Sequence, residues 1–248
     1  MGYDFNHMLS LNDWLPLLQN IDVVINCVGI IVETRTQTFA RLHVEAPKAL
    51  FLACKHKSIK RIIQISALGA DERAITPYQL SKRAADDSLR QLNANAFILR
   101  PSLVYGKNGK SSRLFQYLAM LPIIPLIAQG QQRIQPVHLN DLVATVLCCV
   151  ETTQAPFTLD VAGSHSISFV EFLQILRQHQ GKKPAPSLSI SFGLAIVLSR
   201  LMKYIVPLFH PNNLRMLQRN NIADIQPLTS FLGRKPIEPE NFHQEDKI

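Results

Sequence analysis

Residues 61–106 constrain this chain more than any other stretch. Arg61-Ile62-Ile63-Gln64-Ile65-Ser66 is a short apolar run ending in a hydroxyl, and a turn-rich loop through Gly69 and Pro77 follows. Tyr78-Gln79-Leu80-Ser81-Lys82 opens a helical pattern, and Ala96-Phe97-Ile98-Leu99-Arg100-Pro101 is a second apolar run before Tyr105-Gly106. Strand, helix and strand in this order make a βαβ unit. Its polar residues gather at the carboxyl ends of the strands, the edge of an open α/β sheet where ligands bind.

Tyr78 and Lys82 are one helical turn apart and share a face. A free tyrosine titrates at about 10 and is a poor base at neutral pH. An ammonium beside it favours the phenolate and lowers that value. Tyr78 then exchanges a proton with an alcohol or carbonyl oxygen, and Ser66 hydrogen-bonds the same oxygen. An exposed Tyr and a solvated Lys on a helix show the same spacing. The pair gains meaning from Ser66, from the helical pattern after Tyr78 and from Arg100-Pro101-Ser102-Leu103-Val104-Tyr105-Gly106.

Together these stretches resemble the extended and atypical short-chain dehydrogenase/reductases, which are NAD-dependent epimerase/dehydratase-like. The resemblance implies an α/β fold, a Rossmann-type doubly wound parallel sheet. It also implies that Ser66, Tyr78 and Lys82 are catalytic and that Lys82 holds the nicotinamide ribose. Ile21 to Gly29 is a β-branched run ending in glycine, as in a buried parallel strand. By the resemblance, Asn26, Cys27, Val28 and Gly29 border the nicotinamide-side ribose, Gly29 allowing close backbone approach. Pro101 and Val104 complete the expected cofactor-binding set. His43 stands where relatives often carry Asn and is expected to make a structural hydrogen bond. His138 is likewise expected to be structural rather than to border the substrate.

Within that family the chain is most similar to bacterial proteins like the nucleotide-binding accessory subunit of respiratory complex I. The stretches that carry this are Val28-Gly29-Ile30-Ile31, Ser66-Ala67-Leu68-Gly69-Ala70, Gln135-Pro136-Val137-His138 and residues 214–224. The Gly-rich turn G-x-x-G-x-x-G, which holds the pyrophosphate in the extended enzymes, is not in this sequence. The likeness begins near Gly2-Tyr3-Asp4, the end of the family's third strand, with Asp4 a weak candidate for the acid that meets adenine. The expectation is an N-terminally truncated Rossmann domain. In a sheet ordered 3-2-1-4-5-6, Asp22 to Val28 is then strand 4 with no strand 1 beside it, and tight NAD(P) binding is not expected. NAD and NADP are indistinguishable, because the selecting region is missing.

The 248 residues suffice for one core with a small addition, and the expected division is 1–181 for the partial dinucleotide domain and 182–248 for a mostly helical cap. Helices are expected over residues 4–20, Phe39 to His56, Leu114 to Leu121, Val143 to Val150, Ser168 to Gly181 and Leu214 to Asn220. Ser168 and Glu171 form a capping-box pattern, and Phe157 to Val161 reads as a strand. Leu188 to Phe209 is very apolar, but Arg200, Lys203 and Pro207 interrupt it, which disfavours a spanning helix. A helix packed on the core and an amphipathic helix on a membrane both fit, and the need for a lid favours packing. The tail from Pro236 reads as irregular.

Cysteines 27, 54, 148 and 149 lack metal-ligand spacing, so reduced thiols in the cytoplasm are expected, with possible peripheral contact at the inner face of a membrane. The net charge of +8 is scattered and has no aromatic ladder, which disfavours nucleic acid. Two function classes compete. One is an NAD(P)-dependent oxidoreductase or epimerase acting on an unidentified small molecule. The other is a non-catalytic NAD(P)-binding module of a membrane-associated respiratory complex. The Ser-Tyr-Lys set favours the first, and the apolar, basic C-terminal segment the second.

Overall fold

The computed structural model describes residues 3–191, 193–194, 216 and 220–245. By contacts the chain forms two compact units, one of Met1–Arg100 with Val146–Leu159, the other of Pro101–Thr145 with Asp160–Ile248. The expected boundary at 181/182 falls inside the second unit.

The first unit holds the βαβ unit. Its sheet is ordered β1 (Val23–Asn26), β2 (Arg61–Ile65), β3 (Ala96–Pro101) and β8 (Thr158–Val161). β1, β2 and β3 run parallel, with Val23 opposite Arg61 and Ile62 opposite Ala96. β1 lies at the end of the sheet, as expected for Asp22 to Val28. With its flanking helices this is an α/β, Rossmann-like sheet. The sheet and its helices bury Leu50, Phe51, Ile62 and Leu89 with Trp14 and Leu18.

The helix expected over 4–20 is only α1 (Leu11–Trp14) and a 3-10 turn, Leu15–Leu18. Pro16 has no N–H to continue an α-helical ladder. The Asp13 carboxylate accepts from Ser10 N and Oγ, both at 2.8 Å. The long helix expected from Phe39 is a π-helical stretch, Ala40–Glu45, running into α2 (Ala46–His56). Pro47, near the α2 start, lacks the N–H that a regular ladder would give to the His43 carbonyl, a common origin of such a bulge. α3 (Pro77–Gln91) starts with Pro77, and the Thr76 hydroxyl accepts from Gln79 N at 3.3 Å.

Arg61 closes the far end of α5 (Leu139–Glu151). Its guanidinium donates to the carbonyls of Cys149 at 2.6 Å, Val150, and Thr152 at 2.7 Å. A cation on these free carbonyls satisfies the helix end and complements its dipole.

The second unit has three two-stranded pairs. β4 (Val104–Tyr105) runs parallel to β7 (Val137–His138), and β5 (Ile124–Ile127) parallel to β10 (Ser187–Ile190). β6 (Arg133–Ile134) is antiparallel to β9 (Ile167–Ser168). α4 (Lys110–Met120) and α6 (Phe169–His179) share a core of Tyr105, Ile124, Leu126, Phe172 and Leu176. The capping box is formed: Ser168 Oγ accepts from Glu171 N at 3.2 Å, and Ser168 N donates to the Glu171 carboxylate at 2.7 Å.

Gln135 ties two of the singled-out stretches together. Its Oε1 accepts from Ala223 N at 2.9 Å, its Nε2 donates to Gly163 O at 2.7 Å, and its own carbonyl accepts from Ser102 Oγ at 2.5 Å.

Two expectations need correction here. Residues 188–190 are part of strand β10, pairing Leu188 with Pro125, because β5 lies alongside to take up its backbone groups. The tail from Pro236, which follows α7 (Gln226–Leu232), is not wholly irregular: it holds a 3-10 turn, Pro239–Asn241, and α8 (Phe242–Glu245). Phe242 is fully buried and stacks on Tyr105 at 5.2 Å, which anchors it. Residues 195–209, and most of the helix expected at Leu214 to Asn220, lie outside the described residues. Among the described residues no helix is long and apolar enough to cross a membrane.

Candidate functional site

The site is built at the carboxyl ends of β1 and β2, where α3 starts. β1 ends in Asn26, whose Nδ2 donates to Gln64 Oε1 of β2 at 2.7 Å. Its Oδ1 accepts from Val28 N at 3.2 Å and turns the chain outward. Cys27 and Gly29 are exposed, while Asn26 is buried. Partial desolvation of the Cys27 sulfur raises its pKa, and Lys82 opposes that.

Lys82 lies beneath this turn. It is buried and donates to the carbonyls of Val28 at 3.3 Å and Ile65 at 3.0 Å. A Cβ on Gly29 would stand 3.0 Å from Lys82 Nζ and 3.3 Å from His43 Nε2. The missing side chain is what leaves the ammonium facing the exposed backbone. Burial lowers the Lys82 pKa to about 8, although Asp86 and Cys27 pull it back up.

His43 bridges the turn to α3. Its Nε2 accepts from Ile30 N at 2.8 Å, so the neutral ring carries its proton on Nδ1 and donates it to Ser81 Oγ at 2.8 Å. Ser81 Oγ passes the chain on to Tyr78 O at 2.8 Å. Burial, then Lys82, pushes the His43 pKa down to about 3, which agrees with an acceptor Nε2. The structural hydrogen bond expected of His43 is therefore present, twice over.

Tyr78 is half-buried, with its ring edge-on to Phe39 at 6.1 Å and to His43 at 5.7 Å. Burial pushes its pKa up to about 12. This is opposite to the lowering expected from Lys82: desolvation of the phenolate governs, and the ammonium is engaged by two backbone carbonyls. At neutral pH the Tyr78 phenol keeps its proton.

Ser66 is buried, and its hydroxyl donates to Asp86 Oδ2 at 2.6 Å. Asp86 is fully buried, one further turn along the α3 face that carries Tyr78 and Lys82. Its Oδ1 has no hydrogen-bond partner, and Arg100 Nε stands 3.9 Å from Oδ2. Burial raises the Asp86 pKa to about 6 against the opposing pull of Ser66, Arg100, Arg90 and Lys82. Sequence reasoning missed Asp86. The signal was the continuation of the Tyr78, Lys82 spacing by another four residues.

Asn26, Cys27, Val28, Gly29, Ser66, Tyr78 and Lys82 thus all belong to the first unit. Pro101 and Val104 belong to the second, where Pro101 is buried at the end of β3 and Val104 opens β4. Among the described residues no cluster of His, Cys, Asp and Glu has the makings of a metal site.

The profile of the NAD dependent epimerase/dehydratase family matches residues 7–161. A ceramide reductase of Caulobacter vibrioides is 29% identical over 137 residues, 55% of this chain and 43% of that protein. The mitochondrial NADH dehydrogenase [ubiquinone] 1 alpha subcomplex subunit 9 of Dictyostelium discoideum is 28% identical over 161 residues, 64% of this chain and 44% of that protein. The chain therefore spans less than half the length of these two relatives. Among solved structures, a UDP-glucuronic acid 4-epimerase of Bacillus cereus in complex with NAD superposes with a TM-score of 0.72 at 18% identity, covering 99% of this chain and 79% of that one.

Proposed function

Since the chain belongs to the NAD dependent epimerase/dehydratase family, we propose that it holds the nicotinamide-side ribose of NAD(P) at the β1–β2 edge and serves an oxidoreductase- or epimerase-type reaction on a small molecule. The observation that carries this reading is Lys82 beneath Gly29. An ammonium has three donors, and the Val28 and Ile65 carbonyls take two. The third suits a ribose hydroxyl, and the bare Gly29 backbone lets a sugar approach that closely. The residues present therefore fit the nicotinamide half of the cofactor, which when bound supplies the hydride donor or acceptor.

Tyr78 is the proton-transfer residue of this proposal. Burial keeps it protonated at neutral pH, so its role is to give that proton to a carbonyl oxygen as charge develops there, although the raised pKa makes it a weaker acid than a free phenol. His43 and Ser81 fix the backbone at Tyr78, and Phe39 packs on the ring. Ser66 offers an incoming oxygen only lone pairs while its proton is given to Asp86. Four unpaired cysteines, two of them buried, support a reducing cytoplasmic location.

The Ser66–Asp86 bond also favours a second reading, a binding or assembly module that keeps the dinucleotide without turnover. Two measurements distinguish them. Turnover of NADH and NADPH over a panel of carbonyl compounds is expected to fall by about 100-fold or more in Tyr78→Phe, the usual worth of a general acid. Calorimetric titration is expected to show nucleotide binding that Lys82→Ala weakens. Binding without turnover selects the second reading. Wild-type turnover in Tyr78→Phe removes Tyr78 from the chemistry, and equal affinity in Lys82→Ala removes the ribose contact.

A further inference from the structure

The outward face of α4 is unusual for a helix on a protein surface. Its exposed residues are Lys110, Arg113, Tyr117 and Met120, spaced to fall on one stripe. Tyr117 is 58% exposed and Met120 48%, and Leu121 and Ile123 continue the apolar surface past the helix end. The opposite face, with Ala119 buried and Phe115 and Leu118 packed on the core, is already satisfied. A second set of basic residues adjoins the apolar end. Arg177 donates to the carbonyls of Ala119 at 2.7 Å, Leu121 at 2.8 Å and Lys183 at 2.5 Å. This clasp holds the exposed Lys182-Lys183 turn beside Leu121. The pairing of β5 with β10 places the exposed Leu188 opposite Pro125, just beyond Ile123.

The charge of this surface is one-sided. No Asp or Glu occurs between Asp87 and Asp141, or between Glu171 and Asp224. These two segments supply every residue of the patch. Among the described residues none of Lys110, Arg113, Lys182 and Lys183 makes an ion pair.

We propose that this face docks on a bilayer containing anionic phospholipid. The apolar group of Met120, Leu121, Ile123 and Leu188 enters the headgroup–acyl boundary. Tyr117 sits at that boundary with its hydroxyl toward water, as amphipathic aromatic rings do. Lys110, Arg113, Lys182 and Lys183 meet the lipid phosphates and carboxylates. A second copy of the chain is a poorer occupant: a two-fold contact sets the same patch against itself and opposes basic residues with no carboxylate in either segment to pair them. The proposal rests on the second unit alone and is independent of the dinucleotide chemistry.

The test is co-sedimentation of the full chain with vesicles of phosphatidylcholine, with and without phosphatidylserine. Binding is expected only to the anionic vesicles and is expected to weaken with salt. Lys182→Gln and Lys183→Gln are each expected to lower the affinity about fivefold, the worth of one base near an anionic surface. Met120→Ser combined with Ile123→Ser is expected to lower it roughly tenfold or more, while Lys57→Gln, on the first unit, leaves it unchanged. Equal binding to neutral vesicles, no binding to either, or binding insensitive to these patch variants overturns the proposal. So does concentration-dependent dimerisation that the patch variants abolish, without vesicle binding.

Discussion

Ser66 gives its hydroxyl proton to Asp86 across 2.6 Å, and neither residue is exposed. A buried carboxylate is costly unless its lone pairs are met, and here Oδ1 meets none. The pair joins the end of β2 to the middle of α3, beneath Lys82. It fixes the helix that carries Tyr78 and at the same time withholds the serine proton.

The first prediction concerns the titration of Asp86. Its folded pKa, about 6, lies above its ordinary value of 3.8. The folded state therefore takes up a proton before the unfolded chain does, and this group adds stability as pH falls through 6 toward 4. Linkage gives about 1 kcal/mol at pH 5 and about 2 kcal/mol at pH 4, relative to neutral pH. Asp86→Asn should remove that contribution. Urea denaturation of both proteins from pH 7 to 4 checks it: parallel curves would show that Asp86 does not titrate in this range.

His43 works in the opposite direction. Burial, and then the Lys82 ammonium, hold its folded pKa at about 3, below the usual 6.5. Stability from this group is present above 6.5 and is lost as pH falls, by about 2 kcal/mol at pH 5. His43→Asn should flatten acid destabilisation between pH 6.5 and 4. NMR observation of the His43 ring titrating near 6.5 in the folded protein would contradict the bonding described.

Two glycines should respond differently to one methyl group. At Gly29 the added Cβ meets the flexible end of Lys82 at 3.0 Å, so Gly29→Ala should displace the ammonium with a cost of about 1 kcal/mol or less while weakening nucleotide affinity. At Gly163 the Cβ would lie 1.9 Å from Pro136 O, a backbone atom. Gly163→Ala must move the chain and should cost about 3 kcal/mol or more. Thermal melts of the two variants decide; a Gly163→Ala protein as stable as wild type would refute the close approach.

Arg61→Met should keep the side-chain stem over Phe97, whose ring centroid is 5.3 Å from the guanidinium carbon. It removes the donors to three carbonyls and should cost about 2 kcal/mol. Hydrogen exchange should then rise selectively in the last turn of α5. Uniform exchange along α5 would show that the cap is dispensable.

The βαβ unit was legible because each of its parts has a local cause. β-Branched runs make β1 and β2, Thr76 and Pro77 start α3, and the apolar run 96–101 becomes β3 without a shift of boundary. Ser168 and Glu171 were legible for the same reason. What failed to show were features decided by distant partners. β10 exists because Ile124 to Ile127 lies alongside it, and α8 because Tyr105 accepts Phe242. The π-helical turn at His43 depends on Pro47, but its use depends on Ile30 and Ser81. In the candidate site, the shared α3 face of Tyr78 and Lys82 was legible by spacing, whereas the direction of the Tyr78 titration was not. Spacing identifies a neighbour, and only burial says whether that neighbour or desolvation governs.

The first unit is assembled from two separated stretches, and this bears on the timing of its synthesis. β8 and the last turns of α5 are made after residues 101–145. At roughly 5–20 residues per second on the ribosome, Leu159 emerges several seconds after Arg100. During that interval the carbonyl of Phe157 that Ile98 N meets at 3.0 Å in the finished fold does not yet exist, and the Arg61 guanidinium has no helix end to close. Residues 1–100 therefore wait with one flank of β3 open and the Arg61 cation without its carbonyls. That flank closes only once Phe157 has been made.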